Sequence, residues 1–228
     1  MLTFACISPH PPLILPTVGS AEDRTKVKAT ISSLESLAPK LAAAKPEFII
    51  VSSPHPDWGI QVPLYFLAHN LQFTIYNLQS IFNLSNFKLK IENSAAVFPI
   101  LTTLESPKEH YELGKIIARS LPRAQRGGWI ASGDMSHRLK EDGPYGLHPS
   151  GPKFDQKFIE LLKKKDTEGI LNLDPDFLEE AGECGLRSFC MLLGALEELK
   201  ITWEPEILSY EGPFGVGYLV ANFKIKKA

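Results

Sequence analysis

Three of the six histidines in this chain follow directly after segments that read as buried strands. His10 lies in FACISPHPPLILP (residues 4–16) and His55 in IIVSSPHPDWG (residues 49–59), each between two prolines, and His137 follows WIASGDMS. The flanking prolines fix the backbone and remove amide donors. In open α/β sheets, ligands bind beyond the carboxyl ends of the strands. The pattern therefore predicts that the three imidazoles gather at one edge of a sheet.

Imidazoles that gather with a carboxylate form a metal site. Two histidines and one carboxylate leave positions open for substrate and dioxygen on Fe(II), or for water on zinc. Asp57 and Asp134 could instead orient the imidazoles, and Glu183 could cap the helix that follows it. Glu211 could be an ordinary residue at a strand end. The candidate carboxylates are Asp57, Asp134, Glu183 and Glu211.

Other chemistries fit the sequence less well. SGDMSH contains a Ser-His pair, but the chain has no Gly-x-Ser-x-Gly elbow of a serine hydrolase. GPFGVGY is rich in glycine but runs into a strand, so it does not resemble a nucleotide loop. Cys6 and Cys190 are expected in the core. Cys184 is a candidate for the site because it neighbours Glu183.

The elements that must position these residues alternate between strands and helices. LTFACI (2–7) and EFIIVSS (47–53) read as buried strands. The segment between them has apolar residues at helical spacing, with Ser20 as its N-cap and Pro46 at its end. This β-α-β opening predicts a parallel pair in an α/β sheet. Residues 60–98 are rich in aromatic and β-branched residues and read as strands or an irregular insertion.

The second half of the chain continues the alternation. A helix is predicted over 106–122, a third strand over 127–137 that ends in a loop, and an amphipathic helix over 151–166. Two further helical pieces are predicted within 174–200, and two strands joined by a Gly-Pro turn in the last forty residues. These elements predict one α/β domain.

Composition sets wide limits on the function. The chain has 228 residues, 44% hydrophobic and 22% charged, and a net charge of −2, so we expect neither nucleic acid nor a membrane surface as partner. No apolar run approaches the roughly 20 residues that span a bilayer. The N-terminus lacks the basic region of a signal peptide, and three unpaired cysteines favour reduced thiols, so we expect a cytoplasmic protein.

Several motifs together resemble the LigB-like superfamily of class III extradiol dioxygenases. They are SPHPPLILPTVG, SPHPDWG, SGDMSHRLKEDGPYGLHPSGPKFD, ECGLRSF and SYEGPFGVGY. The branch that they resemble most is associated with the AmmeMemoRadiSam system and related to Memo proteins. The resemblance implies a single LigB-like domain over residues 1–228, with a mixed, partly parallel central sheet flanked by helices. Only residues 60–105 depart from the pattern.

The resemblance also implies roles for the residues of the site. His10 and His55 correspond to the metal histidines, His137 to the catalytic histidine and Glu183 to the metal carboxylate. Memo proteins carry a cysteine near this last point, where Cys184 stands here, and Glu211 is the reserve carboxylate. His148 would line the pocket or face solvent. The implied metal is Fe(II), with Zn, Cu and Mn as alternatives.

Two functions follow from the resemblance. One is extradiol cleavage of a catechol or aminophenol ring with O2, in which His137 acts as base and then as acid. The alternative is a Memo-like metal-binding role without ring cleavage, alongside radical SAM and AMMECR-type partner proteins. Zinc-dependent hydrolysis is a third reading, and a homo-oligomer stays open. A complete set of two histidines and one carboxylate would favour the dioxygenase, whereas an inward Cys184 would favour the Memo-like role.

Overall fold

The computed structural model describes residues 1–69, 71–76 and 94–226. Within these ranges, strands alternate with helices, as the sequence predicts. The strands are β1 (Leu2–Ser8), β2 (Phe48–Ser53), β3 (Gln72–Ile75), β4 (Ser94–Leu101), β5 (Gly127–Ser132), β6 (Trp203–Glu211) and β7 (Tyr218–Ile225). The helices are α1 (Ala21–Lys26), α2 (Lys28–Ala44), α3 (Trp58–Leu67), α4 (Pro107–Ser120), α5 (Ser150–Lys164), α6 (Thr167–Leu171), α7 (Pro175–Ala181) and α8 (Leu186–Glu198).

The described strands form one seven-stranded mixed sheet in the order β3-β4-β2-β5-β1-β7-β6. The five strands from β3 to β1 pair in parallel. Strand β7 pairs antiparallel with β1, and β6 pairs antiparallel with β7. The α/β fold with a mixed sheet flanked by helices is therefore confirmed. The expected pairing of β1 with β2 is wrong, because β5 lies between these two strands.

Both faces of the sheet are covered by helices, as the parallel part of a sheet requires. Side chains of β1 alternate between the two faces: Ala5 and Ile7 pack in one hydrophobic cluster, and Phe4 and Cys6 pack in the other. The first cluster also receives α4, α5 and α8, through residues that include Tyr111, Ile117, Phe154, Phe158, Phe189 and Leu192. The second receives α2 and α3, through residues that include Leu34, Leu37, Leu41, Val62 and Phe66.

Most of the predicted helices form at their predicted places. The Ser20 hydroxyl accepts the Asp23 N–H at 3.0 Å and caps the first helix, which breaks at Val27 into α1 and α2. A capping box between Ser106 and Glu109 opens α4. Cys6 and Cys190 are fully buried in the core, as expected. Helix α6 was not predicted.

The interpretation of residues 60–98 as strands or irregular structure is wrong at its beginning, where α3 forms. Most of this helix is buried, and its exposed stripe is formed by Trp58, Gln61 and Tyr65, so it lacks the charged face from which a helical period is recognised. It also contains Pro63, which is rare inside a helix. Strands β3 and β4 agree with the prediction, and residues 77–93 lie outside the described residues.

The sheet order places the ends of three adjacent strands side by side. In the order β2-β5-β1, Ser8 pairs with Ser132, and Ser52 pairs with Ala131. The segments with His55, His137 and His10 leave the sheet at this same edge.

Candidate metal centre

The proline-framed histidines meet beyond the ends of β1 and β2. The ring centroids of His10 and His55 lie 5.1 Å apart, with an angle of 80° between the ring planes. His10 is buried, whereas His55 is exposed. The predicted gathering of these two imidazoles is present in the structure, and the His55 side opens to solvent.

His10 is held by the loop that follows β5. Its backbone N–H donates to Oδ1 of Asp134 at 2.9 Å, and its Nδ1 lies 3.0 Å from the Ser132 hydroxyl. Its Nε2 lies 3.7 Å from the Cys184 sulphur and 4.0 Å from Oδ2 of Asp134. Because Nδ1 has a partner in the strand end, Nε2 is the atom available to a ligand or metal.

Cys184 reaches the histidines from the connection between α7 and α8. Its sulphur accepts the Asp134 N–H at 3.3 Å. A Cβ on Gly133 would lie 2.2 Å from the Cα of Gly185, so only glycine permits this backbone approach. The two glycines therefore let the loop after β5 and the start of α8 touch, and this contact turns Cys184 inward.

The donor atoms form two overlapping groups. Those of His10, His55 and Cys184 lie within 4.8 Å of one another, and so do those of Asp134, His137 and Cys184. Imidazole and thiolate are ligands of zinc, copper and iron. The residues therefore fit a transition metal ion at this edge of the sheet.

His137 carries the unpaired polar atom of the site. Its Nε2 is buried and has no hydrogen-bond partner among the described residues. Its backbone N–H donates to the Gly182 carbonyl at 3.3 Å, and its ring centroid lies 5.0 Å from that of Tyr145. Buried polar atoms are normally paired, so this nitrogen is suited to a group that enters the site.

Burial shapes the protonation of the cluster. It lowers the pKa of His10 to about 3, helped by the charge of nearby His55, and it lowers the pKa of His137. It raises the pKa of Asp134 to about 6 and that of Cys184 well above its usual value. At neutral pH, His10 and His137 are therefore neutral, each with a nitrogen lone pair available to a metal, and Cys184 is a thiol.

Glu183 is held away from both groups of donor atoms. Its Oε2 accepts the Leu186 N–H at 2.6 Å, and its Oε1 lies 3.7 Å from Arg187 Nη1. The buried carboxylate thus caps the first turn of α8, which is the alternative role that the sequence allows. Cys184, rather than Glu183, stands with His10 and His55.

The remaining predicted residues lie at different distances from the centre. Asp57 caps α3 by accepting the Trp58 N–H at 2.7 Å, and its charge acts on His10. Nδ1 of His148 accepts the Ser150 N–H at 3.3 Å and lies 4.0 Å from Glu180. Glu211 accepts the N–H and the hydroxyl of Thr30, both at 2.7 Å, in the first turn of α2.

Sequence reasoning missed two residues that touch the centre. Ser132 binds the ring of His10, and Tyr145 lies against the ring of His137 with most of its own side chain exposed. Ser132 could have been recognised from its position at the end of β5, where it pairs with Ser8. Tyr145 lies in the motif SGDMSHRLKEDGPYGLHPSGPKFD, but nothing in its spacing from His137 predicts that the two rings touch.

Comparison with known proteins identifies the family. A family model described as the catalytic LigB subunit of aromatic ring-opening dioxygenase matches residues 55–221, well over half of the chain. The chain belongs to this family. The match contains every candidate site residue except His10.

Two individual proteins are similar over nearly the whole chain. Protein CA_C1420 of Clostridium acetobutylicum is 32% identical over 266 residues, covering 95% of this chain and 56% of that protein. The chain thus spans little more than half the length of this relative. The crystal structure of the uncharacterized protein JW3007 from Escherichia coli K12 superimposes with a TM-score of 0.53 at 15% identity, covering 96% of this chain and 98% of that one. This second similarity is one of fold.

No helix in the described part of the chain is both long and apolar enough to cross a membrane.

Proposed function

We propose that this chain binds one transition metal ion through His10, His55 and Cys184 and works as a Memo-like member of the LigB family, without cleaving aromatic rings. The observation that carries the proposal is the position of the Cys184 sulphur, which shares a 4.8 Å cluster with the donor nitrogens of both histidines. The buried carboxylate of Glu183 is engaged by α8 instead.

The chemistry of the donor set supports a soft or borderline ion. Thiolate favours copper and zinc, and imidazole suits zinc, copper and iron, whereas Fe(II) ring-cleaving sites use two histidines and one carboxylate. A metal bound here would act as a Lewis acid, or as a redox centre if it is copper or iron. Among Fe(II), Zn, Cu and Mn, the thiol argues most strongly against Mn.

The protein supplies two proton-handling groups beside the donor atoms. His137 is neutral at neutral pH, and its Nε2 has no partner in the described part of the chain, so it can accept a hydrogen bond or a proton from a hydroxyl that enters the site. Asp134 holds the backbone of His10 and lies in one donor group with His137 and Cys184. These two residues would hold and orient a small hydroxylated molecule at the exposed side near His55.

Ring cleavage is the second candidate, and one observation favours it. The unpaired Nε2 of His137 next to an open cluster is what a base for a phenolic hydroxyl requires. The family description points to the same reaction. Against it stands the thiol at the position where a ring-cleaving site needs a carboxylate.

The experiment compares metal binding with oxygen uptake. The protein is purified without oxygen, loaded separately with Fe(II), Zn(II) and Cu(I), and assayed for bound metal. Oxygen consumption is then measured with a panel of catechols and aminophenols. The proposal expects one ion per chain, lost in His10→Ala and Cys184→Ser, and no substrate-dependent oxygen uptake. Oxygen uptake with a ring-opened product would establish the dioxygenase, and a protein that binds no metal would overturn both functions.

A further inference from the structure

A buried carboxylate lies behind the loop that carries Asp134 and His137. Asp155, in the second turn of α5, is almost inaccessible to solvent. Its Oδ1 accepts the Ser136 N–H at 2.8 Å, and its Oδ2 accepts the Tyr210 hydroxyl at 2.5 Å. Neither the site described above nor the predicted residues include Asp155 or Tyr210.

The turn between β6 and β7 closes on the same loop. The Met135 N–H donates to the Gly217 carbonyl, and the Gly217 N–H donates to the Ser136 carbonyl, both at 2.8 Å. A Cβ on Gly217 would lie 2.3 Å from Oδ2 of Asp155 and 2.8 Å from Cβ of Met135, so any other residue here would displace the Asp155 carboxylate. The backbone of Met135 and Ser136 is thus fixed from two sides.

These contacts act on the two residues that separate Asp134 from His137. The Ser136 hydroxyl adds a third anchor, because it donates to the Ala181 carbonyl at 2.7 Å, just before the segment with Cys184. Groups that bind a metal or move a proton must be held close to their working geometry, and residues outside the site provide that support. These hydrogen bonds all hold Met135 and Ser136, the two residues between Asp134 and His137.

We propose that Asp155 is a positioning residue, which, together with Tyr210 and Gly217, sets the orientation of His137 and Asp134 through the Ser136 amide. The proposal gives a role to three sequence motifs at once: SGDMSH supplies the loop, GPKFD supplies Asp155, and SYEGPFGVGY supplies Tyr210 and Gly217. Its consequence for metal binding rests on the proposed function, whereas its consequence for His137 does not.

The test reads the imidazole of His137 directly, in metal-free protein labelled with 15N-histidine. The six histidines give few signals, and His137→Gln assigns the one of interest. We expect Asp155→Ala to shift or broaden the His137 ring signals while those of His69 and His110 stay in place. Asp155→Asn retains an acceptor for the Ser136 N–H, so it should restore most of the wild-type signal.

Matched controls separate positioning from general loss of stability. Asp166→Ala removes the capping carboxylate of α6, which accepts the Gly169 N–H at 2.8 Å, and it should leave the His137 signals unchanged at a similar loss of Tm. Tyr210→Phe removes one of the two bonds to Asp155 and should shift the His137 signals, whereas Tyr65→Phe on the exposed side of α3 should not. Tyr210→Phe also keeps the test open if Asp155→Ala does not fold.

The metal-loaded protein gives the second result. Loss of a supporting residue of a metal site lowers affinity by roughly 10–100-fold, and we expect this of Asp155→Ala but not of Asp166→Ala. Unchanged His137 signals in folded Asp155→Ala and Tyr210→Phe would overturn the positioning role, whether or not metal binds. A wild-type protein that binds no metal, with shifted His137 signals in the variants, would instead overturn the proposed function alone.

Discussion

The sulphur of Cys184 lies 3.7 Å from Nε2 of His10, although the two residues are 174 positions apart in the chain. The contact joins the end of β1 to the start of α8 across the loop that carries Asp134. It places a thiol beside the histidine pair, and the proposed choice between the two candidate functions depends on whether this sulphur or a carboxylate binds the metal.

Replacing the thiol should change which metal the site prefers. Cys184→Ser should lower Zn(II) and Cu(I) affinity by more than about 100-fold, because a lost ligand costs more than a lost supporting residue. Cys184→Asp should bind Fe(II) or Mn(II) better relative to Cu(I), since carboxylate is a harder donor. Competition titrations with a chromophoric chelator measure both changes.

The control for this series is Cys190→Ala, which removes a buried sulphur from the core face of α8 and should leave the affinities as they are. Equal Zn(II) affinity in wild-type protein and Cys184→Ser would contradict the assignment of Cys184 as a ligand.

Metal binding should release a proton from Cys184. Burial raises the pKa of this thiol well above its usual value, with Asp134 adding to the effect, so the group is protonated near pH 7.5 and must ionise to bind. His10, with a pKa of about 3, has no proton to lose there. Affinity should therefore rise about tenfold per pH unit between pH 6.5 and 8.5.

Calorimetry in buffers of different ionisation enthalpy counts the released proton. Wild-type protein should release more protons per metal than Cys184→Asp, because a carboxyl group loses its proton at a lower pH than a thiol in the same surroundings. Equal release in the two proteins would show that the thiol is not the group that ionises.

Glu183→Gln distinguishes a metal ligand from a helix cap. The amide keeps an acceptor for the Leu186 N–H, so metal content should stay at the wild-type level. Glu183→Ala leaves that N–H without its acceptor and should lower the free energy of unfolding by about 1–3 kcal/mol, again with metal retained. Metal analysis and urea unfolding give the two readings, and metal loss in folded Glu183→Gln would restore Glu183 as the ligand.

The sequence predicted the three-histidine edge of the sheet but left open whether Glu183, Cys184 or Glu211 completes the site. Proline frames and strand-like runs are local signals, so the positions of His10 and His55 follow from short stretches. The direction in which Glu183 and Cys184 face depends on the close contact of Gly133 with Gly185, which are 52 positions apart in the chain (185 − 133). The predicted radical SAM and AMMECR-type partners stay predictions.

The same limit explains the errors in the fold. The order of strands in a sheet is not determined by the segment that connects two of them, so the sequence could not place β5 between β1 and β2. Helix α3 exposes two aromatic residues, Trp58 and Tyr65, on its outer face, so apolar and polar residues do not alternate with a helical period. The proposed role of Asp155 could not be predicted from the sequence either, because its hydrogen-bond partners Ser136 and Tyr210 lie in distant motifs.

Asp155 should give the protein a measurable pH dependence of stability. Burial raises its pKa from 3.8 to about 7, against the hydrogen bonds from Tyr210 and Ser136. Between about pH 4 and pH 7 the folded protein therefore keeps a proton that the unfolded chain has lost. The free energy of unfolding should fall as pH rises through this range, by up to about 1.4 kcal/mol per unit from this group.

Asp155→Asn cannot titrate, so its stability should fall less steeply over the same range. Asp134, with a pKa raised to about 6, contributes equally to both proteins and cancels in the comparison. Denaturant unfolding at half-unit steps from pH 4.5 to 7.5 provides the slopes. Parallel curves for wild-type protein and the variant would rule out a raised pKa at Asp155.

X-ray absorption spectroscopy of the metal-loaded protein is the most direct measurement of the central claim. Zn(II)-loaded wild-type protein should show one sulphur neighbour at about 2.3 Å together with imidazole nitrogens at about 2.0–2.1 Å. The sulphur shell should disappear in metal-loaded Cys184→Asp and persist in Glu183→Gln. A first shell of nitrogen and oxygen alone in the wild-type protein would contradict the account and return the carboxylate site, and with it ring cleavage, to first place.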